Sequence, residues 1–115
     1  MSYLLLIVEP TGQRAERSPS EGEAVYARML RYADDLKSRG LLLGVNSLKA
    51  DGARLTAHNG SRRVLDGPFV EAKELVGGYF LVDCETREEA LTLAAECPAA
   101  EWATIEVRET GPCYA

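Results

Sequence analysis

A chain of 115 residues is long enough to bury a core without metal or disulfide staples, and it reads as one domain over residues 1–115. Its 46% hydrophobic and 27% charged residues are ordinary for a soluble globular protein, and no apolar run approaches the roughly 18 to 20 residues of a membrane helix, so no membrane association is expected. The net charge of −5 argues against binding nucleic acid through counterion release, and Arg62 with Arg63 is too small a basic patch to reverse that.

The chain opens on Tyr3 to Val8, apolar at every position, as expected of a buried central strand. No basic residue precedes it and Glu9 with Pro10 follows directly, so it does not read as a signal peptide, and the expected location is the cytoplasm. A polar, mobile loop is expected from Pro10 to Arg17. Ser18-Pro19-Ser20-Glu21 then supplies a capping serine, a proline at the first helical position and a glutamate that closes a capping box. Val25, Met29, Tyr32 and Leu36 recur at helical spacing as one apolar stripe, and Gly40 is the expected left-handed cap.

Leu41 opens a second strand running to about Leu48. Asp51-Gly52 marks a turn, and the segments Arg54 to His58 and Arg62 to Leu65, joined by Asn59-Gly60, read as a hairpin. That turn places His58, the single histidine, toward solvent. Tyr79 to Cys84 is a further apolar strand. Thr86-Arg87-Glu88-Glu89 is a second capping box, opening a helix that stops before Pro98, and Ala103, Ile105 and Val107 alternate with polar residues in a final strand. Cys84, Cys97 and Cys113 form no CxxC pair and are an odd number, which indicates neither a disulfide framework nor a zinc site.

Strand, helix, strand, inserted hairpin, strand, helix, strand is a ferredoxin-like α+β order, β-α-β-β-α-β, with both helices on one sheet face. The other face is left apolar, so something must cover it, and a homodimer is expected.

Between the hairpin and the Gly77-Gly78 pair lies Asp66-Gly67-Pro68-Phe69-Val70-Glu71-Ala72-Lys73-Glu74. With the following Gly-Gly-aromatic strand, this segment resembles the DGPF branch of the YCII-related family, and the resemblance extends from Tyr3 to Val107. It implies a dimeric α+β barrel with clefts between sheet and loops, in a family many of whose members have no assigned reaction. The more enzyme-like branch of that family is associated with a histidine in the first helix and an aspartate near the end of the second. Here Met29 and Cys97 stand near those places, so that acid-base pair does not carry over.

The motif supplies the candidate site. Asp66, Glu71, Lys73 and Glu74 are the candidate catalytic groups, because carboxylates beside an amine shift one another's pKa when partly desolvated. Gly67, Pro68, Phe69 and Tyr79 are the candidate ligand-binding residues. Each has a structural alternative: Asp66-Gly67-Pro68 has turn chemistry of its own, Phe69 can plug a loop, Tyr79 can be a core residue, and the three charges can be a solvated run. No phosphate loop, nucleophile elbow or metal-ligand cluster appears, and no cofactor is expected.

Two functions remain open on these residues, beside a purely structural reading in which the protein is a stable dimer and the motif simply closes the fold. One is a cofactor-free enzyme acting on a small polar organic molecule by proton transfer, or by a lyase or isomerase-like step. The other is a non-catalytic ligand-sensing or regulatory module, which the resemblance links to sigma-factor-dependent transcription through partner contacts rather than DNA.

Overall fold

A computed structural model describes residues 1–69 and 71–114, so Val70 of the motif lies outside the described residues. The elements run β1 (Ser2–Pro10), α1 (Pro19–Ser38), β2 (Leu42–Ser47), β3 (Ala53–His58), β4 (Ser61–Asp66), β5 (Glu74–Asp83), α2 (Arg87–Glu96) and β6 (Thr104–Glu109). Short 3-10 turns at Gln13–Glu16 and Pro98–Glu101 precede α1 and follow α2. The main sheet has the order β2-β5-β1-β6 with every neighbour antiparallel, and β3 and β4 form a separate two-stranded hairpin. This is the ferredoxin-like α+β fold with an inserted hairpin.

Local chemistry explains the boundaries. Ser18 Oγ accepts from the Glu21 N–H at 3.2 Å and the Glu21 carboxylate accepts from the Ser18 N–H, completing the capping box that starts α1. Gly40 follows the helix at φ +71°, the left-handed conformation that glycine adopts without a Cβ penalty. Thr86 caps α2 through the Glu89 N–H, but Glu89 reaches back to the N–H of Glu85 rather than to that of the cap. Asn59 and Gly60, both at positive φ, make the hairpin turn.

Tyr3, Leu5 and Ile7 of β1 lie opposite Val82, Phe80 and Gly78 of β5, and this face meets both helices. Tyr32 of α1 packs edge-on to Phe80, ring centroids 5.0 Å apart, and donates its phenol hydrogen to the Leu93 carbonyl of α2 at 2.6 Å, tying the helices together over the sheet. Leu36 and Leu5 are fully buried beneath them. The opposite face presents Leu4, Leu6, Val8 and Leu81, which are only half-buried.

Two expectations change. The strand after the motif begins at Glu74 rather than Tyr79, so the motif's last acid and both glycines belong to β5. The segment before α1 is held rather than loose: Gln13 donates to the Trp102 carbonyl at 2.7 Å and Arg14 makes four bonds. The polarity that reads as a loop in sequence is used in these contacts.

Every residue of β3 and β4 is exposed, and the hairpin helps stretch the chain to 46 × 42 × 18 Å. Its radius of gyration is 16.0 Å, whereas a compact domain of this size has about 13 Å. Among the described residues no helix is long and apolar enough to cross a membrane.

Candidate functional site

The site begins with a register shift. β1 and β5 pair regularly until Ile7 faces Gly78, after which Val8 faces Val76, so Gly77 is the extra residue of a β-bulge. The bulge turns Gly77 toward Glu9, the buried charged residue at the end of β1. A Cβ on Gly77 would overlap the Glu9 carboxylate and come within 2.8 Å of Arg14 Nη2. One on Gly78 would stand 2.8 Å from the Asn46 carbonyl oxygen. The glycine pair therefore makes room for an ion pair at one residue and for the neighbouring strand at the next.

Arg14 fills that room. Its Nε and Nη2 donate to the two oxygens of Glu9 at 3.0 and 2.7 Å, a bidentate arrangement, while Nη1 donates to the Leu48 carbonyl at 2.7 Å and Nη2 also to that of Gly77 at 3.2 Å. A buried carboxylate is costly unless paired and hydrogen-bonded, and Arg14 meets both conditions.

The pair stands at the floor of a cleft of about 550 Å³ between α1 and the sheet, within the 300–1,000 Å³ typical of small-molecule sites. Ile7 and Phe80 supply its sheet side and Val25, Met29 and Ala33 its helix side. Tyr26, Leu30 and Val45 border it while 54, 48 and 38% exposed, so apolar surface remains available inside it. At its rim Arg17 lies over the Trp102 ring at 5.6 Å, with Arg28 over the same ring at 5.3 Å. Arg28 pairs with Glu101 at 2.6 Å, which holds that carboxyl below the usual carboxylate range.

The motif residues stand elsewhere. Asp66 ends β4 opposite Ala53, and the Gly67 N–H donates to the Gly52 carbonyl at 2.7 Å. After the cis Gly67–Pro68 bond, the Phe69 ring lies 3.9 Å beneath the guanidinium of Arg54. The Ala72 N–H donates to the Phe69 carbonyl, the Thr11 N–H to that of Lys73 at 2.9 Å and the Thr11 hydroxyl to that of Ala72 at 2.8 Å. Glu71 and Lys73 are exposed, and Glu74 faces Pro10 in the sheet. The segment braces the hairpin base against the end of β1. Among the described residues Asp66, Gly67, Pro68, Phe69, Glu71, Lys73 and Glu74 do not line the cleft.

Tyr79 does border it. Its register opposite Leu6 and Asn46 turns the phenol to the other sheet face, where it accepts from Asn46 Nδ2 at 3.0 Å, so β5 meets the cleft here through its backbone. Met29 lines the cleft wall, while Cys97 is buried and its thiol is pushed up by desolvation. Glu9, Arg14, Arg17 and Trp102 were not legible as a site. The available signal was an acid ending an apolar strand ahead of a Gly-Gly pair.

A ferredoxin-like sheet, a separate hairpin and a bulged Gly-Gly strand flooring an α1 cleft define the class. Residues 1–112 match the YCII-related domain, and the chain belongs to that family. It is 40% identical over 112 residues to an uncharacterized protein of Rhizobium meliloti (strain 1021), covering 94% of this chain and 90% of that one.

Proposed function

We propose that this YCII-related protein binds a small organic molecule in the cleft between α1 and the sheet, and does so as a homodimer. The observation that carries the reading is the Glu9–Arg14 pair: a buried carboxylate doubly bonded to a partly exposed guanidinium, set in a glycine-made recess at the floor of a cleft with largely apolar walls. Such a combination of apolar walls and a few fixed polar groups is what ligand sites use for affinity and orientation. Both oxygens of Glu9 are engaged by Arg14, so the recess offers fixed polarity rather than a free base, which favours binding over proton transfer.

The dimer rests on surface. Leu4, Leu6, Val8 and Leu81 form an apolar patch on the face without helices, and Leu55, Val64 and Leu65 of the hairpin are each more than half exposed. Patches of this kind mark association surfaces. Two sheets meeting through them would form the expected barrel.

A thermal-shift panel of small carboxylates, phenols, lactones and phosphorylated metabolites tests the binding reading. Saturable stabilisation by one class supports it, and a flat panel contradicts it. A sedimenting monomer at micromolar concentration would overturn the dimer.

A further inference from the structure

We infer that the ligand is an organic monoanion with an apolar body, its charge held by Arg17 at the cleft rim and its body lying along α1 beside Trp102. The inference rests on the reading of the cleft as a ligand site and adds the ligand's class. Three observations carry it. The first is charge: the chain as a whole is net −5, yet the charged side chains lining the cleft are two guanidinium groups, Arg14 and Arg17, against the single carboxylate of Glu9. Glu9 is satisfied by Arg14, which leaves the cleft with an excess positive charge at Arg17.

The second is the state of Arg17. Among the described residues it is in no ion pair, and its side chain donates one bond, Nη2 to Gln13 Oε1 at 3.3 Å. Arg17 therefore retains most of its five donors, a fork suited to a carboxylate. Arg28, also within cation–π reach of the Trp102 ring, is already paired with Glu101 and does not line the cleft. The third is the wall: Val25, Met29, Leu30 and Phe80 provide apolar contact without a further charge, so a second ionised group on the ligand would be desolvated without a partner.

Trp102 is the single tryptophan, so its fluorescence reports this rim directly. The probes are 4-phenylbutyrate, 4-phenylbutanol and 4-phenylbutylamine, which share a body and differ in charge. The carboxylate should give a saturable change with a Kd about tenfold or more below that of the alcohol, as a charge-assisted bidentate contact warrants, and the amine should bind most weakly. Arg17→Gln should remove the carboxylate's advantage without changing alcohol binding, Arg17→Lys should restore part of it, and Arg28→Gln should leave it intact. Equal affinity for carboxylate and alcohol, or an unchanged carboxylate Kd in Arg17→Gln, overturns the ligand class while leaving the cleft a binding site. Failure of all three probes to bind overturns both readings.

Discussion

Gly77 occupies the position from which any side chain would displace the Glu9 carboxylate, so a glycine in β5 and an acid in β1 are a single structural unit with Arg14 as its third member. The unit joins the strand register to the cleft, because the bulge at Gly77 is what aims the backbone toward Glu9.

Gly77→Ala should therefore destabilise the protein by about 2–3 kcal/mol, the upper part of the usual single-substitution range, because the added methyl displaces a buried, paired carboxylate. Glu9→Ala introduced with it should recover part of that loss, since the clash disappears and Arg14, partly exposed, turns to water. Urea denaturation of the two variants measures the coupling. Additive losses would separate the two residues.

Substitutions in the motif should behave differently. The Lys73 side chain makes no hydrogen bond or ion pair among the described residues, and its structural contribution is a carbonyl bonded to Thr11. Lys73→Met and Glu71→Gln should thus change stability by less than about 0.5 kcal/mol and leave probe binding at the cleft unaltered. Loss of binding in either would relocate the site to the motif.

Phe69 holds Arg54 of the hairpin through its ring face. Phe69→Ala should cost at least about 0.5–1 kcal/mol, the value of a cation–π contact with an exposed arginine, because the ring is itself half-buried, and should speed amide exchange in β3 and β4 ahead of the main sheet. Uniform acceleration across both sheets would show that the hairpin is not locally braced.

Stability should fall at alkaline pH. Desolvation raises the Tyr32 phenol well above its ordinary 10.0, and raises the Cys84 and Cys97 thiols above 9.0. Above about pH 9 the unfolded chain loses protons that the folded protein keeps, so unfolding becomes progressively easier as pH rises. The stabilisation is fully present below the unfolded values. Tyr32→Phe should lose about 1 kcal/mol at neutral pH with the bond to Leu93, and should flatten the decline above pH 10. A wild-type denaturation midpoint constant to pH 11 would contradict this.

Most of the fold was legible because it is written in local signals. The Ser18–Glu21 box, Gly40 and Asn59-Gly60 each specify a boundary through their own backbone chemistry, and all three appear where expected. The buried and half-buried alternation of β1 was hidden by uniform apolarity, since a run with no polar partner does not say which face has helices. The site was less legible. Arg14 lies five residues from Glu9 in sequence but also bonds Leu48 and Gly77, and that convergence is a product of the bulge and the sheet order, which composition and spacing do not encode. Charges close together in the motif drew attention, whereas the cleft's polar groups come from the end of β1, the turn before α1 and the middle of β5.

The most direct test of the cleft as the ligand site is backbone chemical-shift mapping during titration with 4-phenylbutyrate. Saturable shifts clustered at Arg14, Arg17, Gly77, Gly78 and Trp102 are the predicted result; shifts clustered at Asp66 to Glu74, or none at saturating probe, would contradict it.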